Sequence, residues 1–363
     1  MADHHNPVSD AQAARARPAS TLSYPLEPPT PDGSIVEIAP GILWARMPMP
    51  MALDHINVYL LRDAKGWTIV DTGLNTERCR ALWERIVAER LGGLPVTALV
   101  CTHMHYDHTG LARWLCERFD IPLYMTHGEY FMMRALNEPL PDPLPAPQQS
   151  FYARAGMPAE RVRRMMAAMR LDPFMPPLPQ SFTRLRAGDE LTIGARRWAV
   201  VIGEGHSPEH ACLYCADDRL LIAGDQLLPR ISSNVLVTAI EPEANPLQLW
   251  FESLARLEPL AADTLVLPSH LSVFRGLHAR TRELRQHHER QFGLLRARVA
   301  EHGPCTAFEA MLQLFPRLHT AVDDVLALGE TIAHLSWLRH AGEFARVLDA
   351  DGAYRFGRTA AAC

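Results

Sequence analysis

The stretch VTALVCTHMHYDHTGLARWL, residues 96–115, restricts the fold more than any other part of this 363-residue chain. Its apolar run Val96–Cys101 reads as a buried strand, and a helical pattern follows from about Thr109. Between them stand His103, His105, Asp107 and His108, four ligand-type side chains within six positions. In extended backbone His103, His105 and Asp107 point to one side. A turn near Tyr106, supplied by the start of the helix, brings His108 round to join Asp107. Two imidazoles then face one point, and a carboxylate with an imidazole faces a neighbouring point, which suits two metal ions a few ångströms apart.

The rest of the chain supplies layers for such a strand. From Ser34 to Asp71 short β-like runs alternate with turns, as in a meander. TERCRALWERIVAERLGG reads as a helix that stops at Gly92, and the cluster is followed by the helix TGLARWLCERFD and the strand IPLYMTH. Strands alternating with helices imply βαβ layering. A second strand-rich set runs from ELTIGARRWAVVIGEGH through HACLYCADDRLLIAGDQLL to TLVLPSH. Between the two sets, residues 128–180 are rich in proline, which excludes regular structure from the interiors of NEPLPDPLPAP and DPFMPPLP, and PAERVRRMMAAMRL is a short helix. This insert carries Met132, Met133, Met157, Met165, Met166, Met169 and Met175. Two compatible readings stand: a helical hairpin with a small core of its own, and a cap whose methionines re-pack over a pocket. After about residue 278 three helical segments and a hairpin signal at Asp351-Gly352 form a winged-helix pattern. The expected division is a flexible arm over 1–30, a catalytic domain over 31–278 with a cap insert at about 128–180, and a winged-helix-like domain over 279–363.

Composition narrows the partners. Hydrophobic residues make up 48% and charged residues 21%, the balance of a soluble globular protein. A net charge of −5 gives no bulk attraction to nucleic acid. No secretory run or membrane-length apolar segment is present. The seven scattered cysteines suit reduced thiols in a cytoplasmic protein, and the pair Cys212 and Cys215 lacks a second C-x-x-C to complete a zinc knuckle. A small-molecule substrate is expected, with a packing or homodimer role for the tail.

Three further ligand-type residues follow β-like runs: His206 in GEGHSPEH, Asp225 in LLIAGDQLL and His270 in LVLPSH. Strand ends are where α/β scaffolds place their sites. With the cluster at 103–108, the order H-x-H-x-D-H, G-H-S-P, G-D and P-S-H resembles that of the metallo-β-lactamase-fold hydrolases over roughly residues 35–275. The resemblance implies an αββα sandwich with the site at one edge of two facing sheets. Carried over, His103, His105 and His206 hold a first metal, Asp107, His108 and His270 a second, and Asp225 bridges them. Asp71, in IVDTG, becomes the acceptor that supports the metal loop. Two departures stand out: Leu271 after His270, and Glu209 in GHSPEH, both where relatives carry glycine and both able to reshape the pocket mouth. His210 reads as support or a strand start, and His127 as a capping or packing residue.

Donors of nitrogen and carboxylate oxygen without thiolate suit two zinc ions and tolerate iron or manganese. Water activated between two such ions attacks a carbonyl without a covalent intermediate, with Asp107 able to carry a proton to the leaving group. The cap favours a thioester, lactone or other ester with an apolar acyl portion. Arg230, Ser232, Ser233 and Asn234 after Asp225, and Arg275 and His278 after His270, are candidate substrate contacts. The tail also resembles that of the endoribonuclease branch, which keeps a phosphodiesterase as the alternative, alongside β-lactam hydrolysis as a main or side activity. Basic and acidic residues nearly cancel from Arg280 to Arg358, which argues against phosphate tracking.

Overall fold

The computed structural model describes residues 22–137, 141–170, 178–318 and 320–359. Strands β1 (Ile35–Ala39), β2 (Ile42–Pro48), β3 (His55–Arg62) and β4 (Trp67–Val70) pair antiparallel in chain order. Helix α1 (Glu77–Arg90) begins at Thr76, whose hydroxyl accepts the Cys79 N–H at 3.2 Å, and crosses over to β5 (Val96–Val100), parallel to β4. The one-turn helix α2 (Tyr106–Thr109) and helix α3 (Ala112–Phe119) lead to β6 (Leu123–Thr126). The insert forms α4 (His127–Leu136), α5 (Ala146–Arg154) and α6 (Ala159–Arg170), and β7 (Thr183–Leu185) closes a seven-stranded sheet ordered β1 to β7.

The second sheet contains β8 (Glu190–Ile193), β9 (Arg196–Gly203), β10 (His210–Cys215), β11 (Leu220–Gly224), β12 (Leu265–Pro268) and β13 (Phe274–Arg275), in reverse order across the sheet. Helix α7 (Pro246–Leu257) makes the crossover from β11 to the parallel β12. Helices α8 (Leu277–His302), α9 (Ala307–Leu314) and α10 (Ala321–His340) follow, then the hairpin of β14 (Phe344–Leu348) and β15 (Tyr354–Arg358). No helix among the described residues is long and apolar enough to cross a membrane.

Strand alternation divides the apolar residues between layers. Neighbours Ile69 and Val70 on β4 enter different cores, since successive side chains leave a strand on opposite faces. Between the sheets, Trp44, Tyr59, Val70 and Val100 meet Trp198, Val200, Leu213 and Leu267. Outside the first sheet, Trp83 and Ile86 of α1 and Leu115 of α3 cover Val58, Ile69 and Leu99. Outside the second, Trp250 and Leu254 of α7 and Leu284 of α8 share a cluster with Leu221 and Val266. The result is an αββα sandwich.

Several expectations need correction. Among the described residues the insert has no separate core: Met157, Met165 and Met166 are buried in one cluster with Met311, Leu314 and Ile332 of the C-terminal helices. Arg161 of α6 clamps Asp324 of α10 with two hydrogen bonds of 2.6 Å. Met133 belongs instead to the core outside the first sheet, and Met169 is exposed, so these methionines mostly join elements rather than cover a pocket. Met175 lies outside the described residues. Helix α5 forms within the proline-rich stretch because Pro147 occupies its first turn, where no backbone N–H is required. Of the arm expected over 1–30, residues 22–30 are ordered against the body: Ser23 pairs with Arg275 and Leu22 is buried.

Helix α10 buries a carboxyl group with no charged partner among the described residues to offset its burial. Glu330 is 1% exposed, and burial pushes its carboxyl from an ordinary 4.5 up to about 8. A raised carboxyl pKa means that the folded state holds the proton more tightly than the unfolded state. That contribution is complete below about pH 4.5 and is lost as pH rises through about 8. Glu330→Gln is therefore expected to stabilise the fold at pH 8 by about 4 kcal/mol and to leave it nearly unchanged at pH 4.5. Urea unfolding at both pH values measures this, and an equal shift at the two would refute it.

Candidate metal centre

Facing sheets normally stand about 10 Å apart, but at one edge these two converge to hydrogen-bonding distance. The Ala211 N–H donates to the Thr102 carbonyl at 2.8 Å and the Asn57 N–H to the Ser269 carbonyl at 2.6 Å. The Pro268 carbonyl also accepts from Asn57 Nδ2 at 2.7 Å and the Tyr59 hydroxyl at 2.8 Å. These bonds draw together the loops that follow β4, β5, β9, β11 and β12.

Seven side chains meet there in two groups, one of His103, His105, His206 and Asp225, the other of Asp107, His108 and His270; within each group the candidate ligand atoms lie within 4.8 Å of one another. His103 Nε2 stands 2.8 Å from His105 Nδ1 and 3.2 Å from His206 Nε2. Asp225 Oδ2 is 3.4 Å from His206 Nε2 and 3.9 Å from His103 Nε2. Its other oxygen, Oδ1, is 3.6 Å from His108 Nε2 and 3.3 Å from His270 Nε2. Asp107 Oδ2 lies 3.4 and 3.3 Å from the same two nitrogens. Asp225 thus faces both groups, one oxygen to each.

Fixed acceptors orient the imidazoles. Asp71, held at φ 62°, places Oδ2 2.9 Å from His108 Nδ1 and accepts the Thr102 N–H at 2.8 Å. His206 Nδ1 donates to the Asn234 carbonyl at 2.7 Å, and His270 Nδ1 to the His55 carbonyl at 2.9 Å. Since a carbonyl only accepts, Nδ1 carries the proton and Nε2 presents a lone pair to the cluster. His210 is occupied otherwise: its Nε2 accepts the Asp225 N–H at 3.0 Å, and its ring stacks on that of His103 at 4.7 Å. A Cβ at Gly224 would sit 2.4 Å from the His210 ring, so only glycine fits beneath it.

The electrostatics fit bound cations. Burial disfavours charge on Asp107, but the imidazoles of His108 and His270 hold its carboxyl well below the ordinary range. Burial likewise drives the His103 imidazole towards its neutral form. Buried Asp225 Oδ1 and His108 Nε2 lack hydrogen-bond partners among the described residues. Orphaned polar atoms of this kind are costly unless something binds them, and the convergent oxygen and nitrogen donors match two metal ions.

The candidate substrate contacts divide. Ser232 is half-buried, Ser233 donates its hydroxyl to the Asp225 carbonyl, and Asn234 contributes its carbonyl to His206, so the segment after Asp225 borders the site. Arg230 is exposed and stacks over Tyr24 at 5.2 Å. Arg275 and His278 do not reach the site. Arg275 pairs with Leu265, at the end of β12 remote from His270, and donates to the Asp263 carbonyl. His278 Nε2 binds the Leu260 carbonyl at 3.0 Å.

The two departures from the resemblance have structural roles. Leu271 adopts φ 67°, a left-handed conformation that favours glycine, and its carbonyl accepts from Arg46 at 2.6 Å. Glu209 accepts the Gly128 N–H at 2.6 Å, at the start of α4. His127 is exposed beside Phe131, with ring centroids 4.6 Å apart. Sequence reasoning missed two residues: His55, whose carbonyl orients His270, and Glu129, which is fully buried and accepts hydrogen bonds from Met104, Ser207 and Glu209. Burial pushes the Glu129 carboxyl up to about 6 against these bonds. An acid in the first turn of a helix is common, so nothing in the sequence distinguished it.

Comparison with known proteins agrees with this geometry. Residues 51–270 match the metallo-beta-lactamase superfamily, and residues 295–359 match a metallo-beta-lactamase-like C-terminal domain. The chain belongs to the metallo-beta-lactamase superfamily and is a metal-dependent hydrolase. A crystallised beta-lactamase domain protein from Burkholderia ambifaria is 43% identical, with a TM-score of 0.82 over 93% of this chain and 99% of that one. The probable metallo-hydrolase YqjP of Bacillus subtilis (strain 168) is 28% identical over 82% of this chain and 92% of its own length. The acyl-coenzyme A thioesterase MBLAC2 of Bos taurus is 26% identical over 51% of this chain and 63% of its own length.

If Asp71 orients His108, Asp71→Asn is expected to weaken one of two metal-binding steps about 10- to 100-fold. Elemental analysis after dialysis against graded chelator measures it, and retention equal to that of the parent protein would show that Asp71 has no such role.

Proposed function

We propose that the chain is a dinuclear zinc hydrolase of thioesters, or of related esters and lactones, with an apolar acyl portion. The observation that carries the reading is Asp225, whose two oxygens face separate groups of imidazoles. Donors of nitrogen and oxygen without thiolate favour zinc. Ions bound there supply Lewis acidity, which polarises a carbonyl and acidifies water enough for attack at neutral pH.

The chain's own residues do the rest. His103, His105 and His206 form one nitrogen face, and Asp107, His108 and His270 define the other, with Asp225 fixing their separation. Asp107, kept ionised by its imidazole neighbours, takes the proton of the attacking water and delivers it to the leaving group. Cys101 is buried close by, with its thiol pushed well above the ordinary range, so it does not serve as a nucleophile. With water as the nucleophile, hydrolysis proceeds without a covalent intermediate.

The thioesterase relative supports a thioester substrate, and several arginines of the tail are paired with carboxylates. Arg296 pairs with Glu343 and Glu289, Arg339 and Arg346 with Glu243, and Arg355 with Asp349. Arginines bound to carboxylates make a poor track for phosphates, which disfavours the endoribonuclease alternative. A panel of acyl-coenzyme A thioesters, lactones, β-lactams and single-stranded RNA tests the reading. Thioester hydrolysis is expected to fall by about 100-fold or more on metal removal, to return with zinc, and to be lost in His105→Ala. Metal-dependent RNA cleavage lost in Asp225→Ala, with every acyl substrate inert, would replace this proposal.

A further inference from the structure

Three donors converge on the buried carboxylate of Glu129, near the start of α4. The Met104 N–H reaches Oε2 at 2.9 Å, while the Ser207 hydroxyl and the Glu209 N–H reach Oε1 at 2.6 and 2.7 Å. Met104 lies between His103 and His105, and Ser207 follows His206. One side chain therefore ties together the two loops that provide all three histidines of the first group. None of these three bonds goes to Asp107, His108 or His270. Glu209 returns the contact by accepting the Gly128 N–H at 2.6 Å, and the Thr126 hydroxyl donates to the Glu209 carbonyl at 2.8 Å. The start of the insert and the His206 loop are thus locked reciprocally.

We infer that Glu129 is a positioning residue, which sets the geometry of the His103, His105 and His206 group and so governs the affinity of that metal position more than that of the other. The inference rests on the proposed metal centre. Its chemistry is specific to a carboxylate, because both oxygens must accept and two of the three donors are backbone N–H groups that cannot reverse. A glutamine side chain has one acceptor oxygen and one NH2 group. If the NH2 replaces Oε2, it confronts the Met104 N–H; if it replaces Oε1, it confronts the Glu209 N–H. Either orientation sets donor against donor and loosens one of the two loops. The serine hydroxyl, by contrast, can rotate to accept, so Ser207→Ala removes only one of three bonds.

The test is stepwise zinc binding, measured by competition with a chromophoric chelator and followed with cobalt(II) through its visible ligand-field bands. Glu129→Gln is expected to weaken one step by about 10- to 100-fold and to leave the other within about twofold. Glu129→Asp is too short to span the loops and is expected to act in the same direction, and Ser207→Ala to produce a smaller shift of the same step. Cobalt bands altered for one position only complete the expected pattern. Both steps unchanged in Glu129→Gln, or both weakened equally, would overturn the inference; in the second case Glu129 merely supports the fold. If Glu129→Gln fails to fold, Ser207→Ala carries the same discrimination. Parent protein that binds no metal would instead overturn the metal-centre reading beneath it, a result separable from the variants.

Discussion

Everything at the site depends on the shared use of Asp225 by two groups of imidazoles. A carboxylate buried without a partner would be costly, and its two oxygens find complementary surroundings only if the loops after β5, β9 and β12 all arrive at the same place. The main-chain bonds from Ala211 to Thr102 and from Asn57 to Ser269 achieve this by pinching the two sheets together at one edge. Away from that edge the sheets are held apart by Trp44 and Trp198. The sandwich is thus wedged open by large side chains and closed at the site by its backbone.

Around the cluster, carbonyls and carboxylates fix rings rather than bind substrate. Asp71, the Asn234 carbonyl and the His55 carbonyl each engage an Nδ1, so three imidazoles present Nε2 inward. Pre-set tautomers of this kind remove the reorganisation that ligands would otherwise undergo on binding a metal. Glu129 and Glu209 extend the same logic to the loops themselves, and they anchor the insert at its first helix. Farther out, the insert shares its apolar cluster with the C-terminal helices, so insert and tail pack together.

Much of this is legible in the sequence. The spacing of His103, His105, Asp107 and His108, with His206, Asp225 and His270 each after an apolar run, marks the convergent residues from local pattern alone. Periodicity marks α1, α3 and α6, because their apolar stripes repeat at helical spacing. The insert is less legible. Proline suggests irregularity where α5 begins, since proline is disruptive inside a helix but harmless in its first turn. Its methionines suggest an adaptable cap, yet Met157, Met165 and Met166 face the tail. Arg275 and His278 follow His270 in sequence but turn away with β13 and α8, because short sequence separation does not ensure proximity once a strand reverses.

By itself, the sequence determined the kinds of atom available for chemistry and the strand ends on which they stand, because side-chain identity and hydrophobic period are local properties. The tertiary structure alone decided which oxygen of Asp225 faces which imidazoles, that His210 accepts the Asp225 N–H, that residues 22–30 join the body, and that Glu129 bridges two loops. These facts rest on contacts between segments far apart in the chain, and such contacts are set by sheet packing and by the need to satisfy buried polar groups.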